Sequence, residues 1–156
     1  MKGILGISLF AALLYFAMNG CNKKSNAAET KTQLITASPW VYDTAGIDLA
    51  GNGTIDEALP DTTIPVCVKD NTLTFTSDST GVETQGAVRC DSTGPLTSDF
   101  TWSFNAAQTQ INFPDSVFGS FGGTVSITSL TATQLHLEKA VTESGITVNI
   151  AIYLKH

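Results

Sequence analysis

The chain has 156 residues, which suits one domain after a targeting segment, and its formal net charge at pH 7 is −6. Charged residues make up 14% of the chain, and Ser and Thr are abundant, as is typical of a β-rich exported protein rather than a helical cytosolic one. Because the balance is acidic and no basic stripe exists, nucleic acid is excluded as an expected partner.

The N-terminal segment has the pattern of an export signal. Lys2 gives a positive start, residues 4–17 form an apolar run that is short for a membrane span, and the small residue Gly20 precedes Cys21. This resembles the signal of bacterial lipoproteins, in which the Cys thiol takes a diacylglycerol and the preceding peptide is removed. We therefore expect a signal peptide over residues 1–20 and attachment of Cys21 to a lipid bilayer through acyl chains such as palmitate. A plain secretory signal and an uncleaved anchor helix are the alternatives.

Residues 21–32 are polar and unpatterned, which predicts a flexible tether that leads to a single domain over residues 33–156. Within that domain, Cys67 and Cys90 remain once Cys21 carries lipid. An exported chain folds in an oxidising compartment, where two remaining cysteines favour a disulfide. A metal site is the rival interpretation, but the sequence has no C-x-x-C motif and no His near either cysteine.

From Trp40 onward, apolar and polar residues alternate with the period of a β-strand. Turn-forming residues separate the alternating runs and predict about eight strands, over residues 40–48, 71–77, 81–89, 100–105, 109–114, 122–130, 133–142 and 145–155. Such short connections predict an all-β, antiparallel up-and-down meander, and closure into a barrel would leave no exposed edge. A helical turn is expected over residues 29–35, before the first strand.

Several motifs follow one another along the domain: "LITASPWVYD", "IDLAGNGTIDEAL", "PVCVKDNTLTFTSDSTG", "VRCDSTGP" and "WSFNAAQTQINF". Their order resembles the lipocalin-like domain of bacterial outer-membrane lipoproteins, in which a Trp, an Asp/Gly/Asn turn, two spaced cysteines and Trp-Ser-Phe succeed one another. The resemblance covers nearly all of residues 33–156, and it implies a lipocalin-like barrel that binds without catalysing a reaction. Lipocalins proper have Gly-x-Trp on the first strand, whereas Ser38 stands at the Gly position here, so the relation to ligand carriers is architectural.

The stretch "DLAGNGTIDEAL", residues 48–59, is similar to a calcium-binding loop. Oxygen ligands for Ca²⁺ could come from Asp48, Asn52, the Thr54 carbonyl and Asp56. A helix–loop–helix site also requires side-chain ligands at the third and twelfth places, which are Ala and Leu here. The favoured interpretation is therefore a turn that Gly and Asn allow and that the acidic residues keep solvated, with bound Ca²⁺ as the alternative.

The tetrapeptide "DSTG" occurs twice, beginning at Asp78 and at Asp91. Aspartic proteases use a shorter Asp-Ser/Thr-Gly motif in larger folds, so two hairpin turns explain the repeat better. The sequence contains no G-x-S-x-G motif, and its histidines are His136 on a predicted strand and His156 at the terminus. No catalytic residue is predicted.

Aromatic side chains are the candidate ligand contacts, because such rings often line small-molecule pockets: Trp40, Phe75, Trp102, Phe104, Phe118 and Phe121. The same rings could fill the interior, since eight-stranded barrels are just wide enough to be packed with side chains. We favour a mostly filled core. Phe118 and Phe121 lie in a glycine-rich segment, where exposure would indicate a binding rim.

Together these features predict a monomeric lipoprotein held at the outer membrane of a Gram-negative bacterium by its acylated Cys21. The expected function is non-enzymatic binding of a small apolar ligand or of an envelope protein or glycan. The alternative is a structural or assembly lipoprotein of the envelope with a filled barrel and no small-molecule ligand.

Overall fold

The computed structural model of the protein describes residues 28–119 and 121–156. The predicted signal peptide over 1–20, the lipidation site Cys21 and most of the tether lie outside these residues. In the described part of the chain no helix is long and apolar enough to span a bilayer. Its elements are, in order, α1 Lys31–Ile35, β1 Trp40–Asp48, β2 Glu57–Ala58, α2 Val66–Lys69, β3 Thr72–Phe75, β4 Thr80–Thr84, β5 Thr97–Thr101, β6 Ser103–Phe104, β7 Gln110–Phe113, β8 Gly123–Leu130, β9 Gln134–Glu143 and β10 Ile146–Lys155.

The helix α1 begins at a capping box and confirms the helical turn predicted over residues 29–35. The Thr30 hydroxyl accepts a hydrogen bond from the Gln33 N–H (3.2 Å), and the Gln33 side chain accepts one from the Thr30 N–H (2.8 Å). Lys31 Nζ then donates to the Gln108 carbonyl in the β6–β7 turn (2.6 Å). We call this side of the sheet the α1 end, and the opposite side, where the connections β2–α2, β4–β5 and β7–β8 lie, the loop end.

One antiparallel sheet contains all ten strands of the described residues. Its order is β5-β4-β3-β1-β10-β9-β8-β7-β6, and the short β2 pairs with β1 as a side branch. The sheet curls on itself, because Phe75 of β3 contacts Phe113 of β7 across four intervening strands, with 6.5 Å between the ring centroids. The prediction of an all-β antiparallel fold is therefore confirmed.

The closed eight-stranded barrel expected from the sequence is not confirmed, because the sheet stays open between β5 and β6. One residue, Trp102, separates these two edge strands in the chain, so both edges of the sheet meet there. Its N–H donates to the Ser79 carbonyl beside β4 (2.9 Å), while the next residue already pairs with β7. Pro114 would face Thr101 if the β6–β7 ladder continued, but proline has no N–H to donate, and the ladder ends before it.

The strands differ from the prediction in three places. The strand expected over 100–105 is divided at Trp102 into β5 and β6, and the one expected over 81–89 ends at Thr84. The chain after Thr84 leaves the sheet because the Gly86 N–H donates to the Asn71 side chain (3.2 Å) instead of continuing the ladder. The short β2 was not expected from the sequence, because its Glu-Ala pair has no alternating pattern.

Large apolar side chains fill the interior at the α1 end. Trp40 is fully buried, its Nε1 donates to the Ile35 carbonyl of α1 (2.8 Å), and the His156 ring centroid lies 3.7 Å from its own. Phe75 makes edge-to-face contacts, at centroid distances from 5.5 to 6.5 Å, with Phe100, Trp102 and Phe113. Full burial of a side chain of this size stabilises the fold by about 1.5–3 kcal/mol.

A disulfide joins Cys67 of α2 to Cys90 in the β4–β5 connection, with 5.1 Å between the Cα atoms. This is the pairing that the sequence favours. In the chain-entropy model a bridge over a span of this length stabilises a fold by about 3 kcal/mol. It fixes two of the connections at the loop end relative to each other.

Candidate functional site

An apolar cavity of about 270 Å³ opens at the loop end of the sheet. Three parts of the chain supply its large side chains: the β2–α2 connection with Leu59 and Ile64, the β7–β8 connection with Phe118 and Phe121, and β10 with Ile150 and Ile152. Thr63 adds a hydroxyl group to the wall. Apolar walls with few polar groups are the usual composition of small-molecule sites, so this cavity is the candidate functional site.

One wall of the cavity comes from β10, whose alternating residues face the inside of the curled sheet. Ile152, 4% exposed, pairs with Leu137 of β9, and Ile150 pairs with Lys139. The same face continues beyond the cavity to Ile146, which is 69% exposed. The apolar stripe of β10 therefore runs from the core, past the cavity, to solvent at the β9–β10 turn.

The β7–β8 connection supplies an aromatic wall. Phe118 stacks on Tyr42 of β1 with 6.2 Å between the ring centroids, and its backbone has a left-handed φ of 51°. That conformation is unfavourable for a bulky residue and persists where surrounding contacts enforce it. Phe118 and Phe121 are 4% and 9% exposed, so they form a wall of the cavity rather than the exposed rim considered from the sequence.

Glu83 links the aromatic wall to the neighbouring strands. Asn71, which is buried, donates from Nδ2 to Glu83 Oε1 (2.9 Å). The second Glu83 oxygen accepts from the Phe118 N–H (3.4 Å). A carboxylate on β4 therefore binds the backbone at Phe118, the one aromatic residue with a left-handed φ in the described ranges, and helps to hold it over the cavity.

An ion pair joins the β7–β8 connection to β9. Lys139 Nζ donates to the Gly122 carbonyl (2.6 Å) and lies 3.6 Å from a carboxylate oxygen of Asp115. The Asp115 side chain is largely exposed, and a pair of this kind contributes about 0–1 kcal/mol. The pair matters to the site because it positions the β7–β8 connection. Lys139 holds both ends of that connection, at Asp115 and at Gly122, against β9.

The other four aromatic residues considered as ligand contacts lie away from this cavity. Trp40 and Phe75 are in the core at the α1 end. Trp102 is buried and donates from Nε1 to the Thr80 carbonyl (2.9 Å), and the Phe104 ring centroid lies 5.2 Å from that of Trp102. These rings fill the interior, whereas Phe118 and Phe121 line the cavity.

The acidic stretch after β1 folds back over the outer face of β10. The Tyr153 hydroxyl donates to the Gly53 carbonyl (2.7 Å) and accepts from the Ile55 N–H (3.1 Å). The Tyr153 ring in turn stacks on His136 of β9, with 3.6 Å between centroids and an interplanar angle of 7°. Burial lowers the pKa of His136, and the nearby charge of Asp43 opposes that shift in part.

The residues considered as calcium ligands bind backbone amides of their own loop. The Asp48 side chain accepts hydrogen bonds from the Gly51 and Gly53 N–H groups (2.6 Å each). The Asp56 side chain accepts from the Leu49 and Ala50 N–H groups (2.8 and 3.1 Å), and the Asn52 side chain accepts from the Thr54 N–H (2.9 Å). Within residues 28–119 and 121–156, no group of three or more His, Cys, Asp and Glu side chains is arranged to hold a metal ion. These contacts are those of a turn, and bound Ca²⁺ stays a prediction to be tested.

Asp48 also meets a second carboxyl group, that of Glu138 on β9. Burial, followed by the hydrogen bond to Asp48 and its negative charge, raises the pKa of Glu138. Burial by itself would raise the pKa of Asp48, but hydrogen bonds from the Gly53, Asn52 and Gly51 amides and from Glu138 outweigh it and lower that pKa. A proton taken up by the pair is therefore favoured on Glu138 rather than on Asp48.

The two "DSTG" turns lie at opposite ends of β4. Asp78 precedes the strand, and hydrogen bonds from the Thr76 and Thr80 side chains lower its pKa to about 2. Asp91 follows the strand, and hydrogen bonds from Thr93 lower its pKa. Each carboxylate stabilises its own turn, as the interpretation of the repeat as two turns requires.

Several cavity residues were not singled out from the sequence. Ile150 and Ile152 lie in the strand predicted over residues 145–155, where alternation places them on one face of the strand. Leu59 and Ile64 lie in an irregular connection, where no periodicity indicates which side chains face inward. Lys139 lies on the inner face of β9, where the neighbouring positions are apolar. A charged residue at such a position is a sequence signal that could have indicated a specific contact there.

No known protein-family model matches the chain, and no curated protein matches it with significant similarity. The likeness to lipocalin-like domains rests on the order of the sequence motifs. The geometry of the cavity is therefore the basis for assigning a function.

Proposed function

We propose that the protein is a membrane-anchored extracytoplasmic lipoprotein whose domain binds one small apolar molecule in the cavity at the loop end. The observation that carries the proposal is the cavity itself, about 270 Å³ between Phe118, Phe121, Ile150 and Ile152. Within the described part of the chain, no charged side chain lines it. The proposed activity is binding without catalysis, by a monomer and without a cofactor.

The proposal includes a lipocalin-like architecture. Consecutive antiparallel strands curl around a core, a short helix covers Trp40 at one end, and the apolar cavity opens at the other. In this interpretation the sheet acts as a barrel with an open seam between β5 and β6. The curvature that brings Phe75 and Phe113 into contact supports it.

The size of the cavity bounds the ligand. Drug-sized ligands occupy pockets of roughly 300–1,000 Å³, so this cavity suits a molecule at or below the lower end of that range. Burial of apolar surface, at about 25 cal/mol per Å², would supply most of the affinity. The Thr63 hydroxyl would provide one polar contact.

The tether reaches the domain on the side opposite the cavity. The described chain begins next to α1, and Lys31 contacts the β6–β7 turn at the α1 end. The ten residues from Cys21 to Thr30 span at most about 35 Å when fully extended. In the proposed outer-membrane lipoprotein, the chain therefore joins the anchor to the α1 end of the domain and leaves the cavity at the far end.

Methyl-detected NMR of the full chain, labelled at isoleucine and held in a lipid nanodisc, tests the proposal with naphthalene as a neutral apolar probe. The methyl signals of Ile64, Ile150 and Ile152 should shift in a saturable manner. Ile146, on the same face of β10 but 69% exposed, is the internal control, and its methyl signal should not show this saturable shift. An Ile150→Trp substitution fills the cavity and should abolish the shifts at the remaining two sites.

Equal shifts at exposed and cavity isoleucines, or unchanged binding in the Ile150→Trp variant, would contradict the proposed site. Absence of any shift would instead favour the second candidate function, a structural or assembly lipoprotein with a filled barrel. The observation that favours this candidate is the exposure of Leu49 and Ile146, 70% and 69%, at the tips of neighbouring strands. Under that candidate, Leu49→Ser and Ile146→Ser should weaken association with an envelope partner without changing stability.

A further inference from the structure

The strand β5 is the longer of the two sheet edges and has unused backbone hydrogen-bonding groups. It pairs with β4 over its whole length, from Thr97 opposite Thr84 to Thr101 opposite Thr80. On its other side, no residue of the described part of the chain pairs with it. The opposite edge, β6, has two residues and offers no comparable template.

The alternation of hydrogen bonds along the β4–β5 ladder identifies which backbone N–H and C=O groups of β5 do not bond to β4. At its two ends, the Leu96 carbonyl accepts from the Gln85 N–H and the Trp102 N–H donates to the Ser79 carbonyl, at 2.9 Å each. Backbone groups of an antiparallel strand point alternately to its two neighbours, so every second residue of β5 points away from β4. The outward residues are Thr97, Asp99 and Thr101.

A groove of about 610 Å³ lies beside these residues, lined by β4 and β5 with Pro114 as its far side. The chain after Pro114 does not cover β5, because it turns inward and buries Val117 and Phe118. The groove therefore follows the open seam of the sheet. Its lining combines Phe100 and Val82 with the exposed carboxylate of Asp99.

We propose that this groove binds an extended segment of another polypeptide, which adds to β5 as a strand and carries a basic residue opposite Asp99. An extended backbone is the ligand whose donors and acceptors repeat with the spacing of those on β5. Among the described residues no ion pair involves Asp99, and a Lys or Arg directly across a strand pair is stabilising.

A second copy of this chain fits the edge less well than a basic peptide. In the antiparallel register that pairs all of β5 with itself, Asp99 faces Asp99 of the other copy. Like charges directly opposite each other destabilise a strand pair, and such a charge protects an edge from self-association. The carboxylate therefore selects against the identical strand and in favour of a cationic one.

The test is selection of peptides from a displayed library of random nine-residue sequences against the full chain in nanodiscs. Enriched peptides should alternate β-branched and polar residues and contain Lys or Arg. Amide exchange followed by NMR should show Ser98 and Phe100 protected before binding, and Thr97, Asp99 and Thr101 protected after it. Asp99→Pro removes an outward N–H but no bond to β4, and it should weaken binding at least about tenfold.

Two charge variants keep the test decisive if Asp99→Pro does not fold. Asp99→Lys should reverse the charge preference, so that a selected peptide with its basic residue changed to Glu binds better than the original. Asp61→Lys, the same change in the exposed β2–α2 connection, should leave the affinity unchanged. The proposal is overturned by failure to enrich peptides, by equal binding to Asp99→Lys, or by a dimer that protects the same amides.

Discussion

The carboxyl group of Glu138 on β9 faces that of Asp48 at the end of β1, and this contact helps to raise the pKa of Glu138 and to lower the pKa of Asp48. Asp48 is 2% exposed and also accepts the Gly51 and Gly53 N–H groups. The pair connects the start of the acidic loop to a strand two positions away in the sheet, since β10 lies between β1 and β9. The contact between the two carboxyl groups therefore links the loop to β9.

We expect this pair to make stability depend on pH in two opposite directions. The Glu138 pKa is raised above its ordinary 4.5, so its contribution is complete below that pH and is lost as the pH rises through the raised pKa. The Asp48 pKa is lowered from 3.8, so its contribution is present above that pH and lost as the pH falls through the lowered pKa. The pair should contribute most between 3.8 and 4.5.

A Glu138→Gln substitution separates the hydrogen bond from the titration. The amide still donates to Asp48 but carries no ionisable proton, so the decline in stability above pH 4.5 should become shallower than in the unaltered chain. Urea unfolding at a series of pH values measures this difference. Glu57→Gln, at an exposed position, is the control and should leave the profile unchanged, and identical profiles for all three chains would refute the coupling.

Tyr153→Phe should destabilise the fold by about 1–2 kcal/mol. The substitution keeps the ring that stacks on His136 but removes the hydroxyl that bonds both Gly53 and Ile55. Urea unfolding checks the value. Tyr42→Phe is the matched control, because no hydrogen bond of the Tyr42 hydroxyl occurs in the described residues, and an equal loss in both variants would rule out the proposed attachment.

Calcium should leave the melting temperature of the protein unchanged. The oxygens of Asp48, Asn52 and Asp56 already accept backbone N–H groups, which takes up part of the acceptor capacity that an ion would need. Thermal unfolding with and without Ca²⁺ measures the outcome. A rise in melting temperature with Ca²⁺ that disappears in Asp56→Asn would show that the native loop binds the ion.

Removal of the disulfide by Cys67→Ala and Cys90→Ala together should lower the free energy of unfolding by about 3 kcal/mol. The loss follows from the greater freedom of the unfolded chain and from release of α2 relative to the β4–β5 connection. Chemical unfolding of the oxidised, reduced and doubly substituted proteins provides the measurement. The reduced and substituted forms should agree, and a reduced form as stable as the oxidised one would contradict this account.

The sequence predicted the strand content well because alternation is a local property. Residues 145–155 were assigned to a strand, and the structure has β10 at Ile146–Lys155 with Ile150, Ile152 and Leu154 directed inward. The helical turn was equally local, since its capping box involves residues three positions apart. Patterns of this kind need no knowledge of the rest of the fold.

The sites depended on contacts that the sequence does not encode locally. Phe118 and Phe121 were expected to indicate a rim if exposed, but the direction of their segment is set by Glu83 and Tyr42, which are distant in the chain. The open seam depends on one residue, Trp102, leaving the expected strand, and on Pro114, directly after β7, at the position that would face Thr101. Neither effect has a periodic signature.

The pairing of β1 with β10 places the first strand of the domain beside the last. A ladder that joins Val41 to Lys155 cannot form until the C-terminal residues have been made. For a chain that is exported unfolded, as the proposed lipoprotein would be, the centre of the sheet can assemble only after residues 146–155 have crossed the membrane. The early strands would then remain without their central partner during translocation, which keeps the chain in a form that can still be threaded.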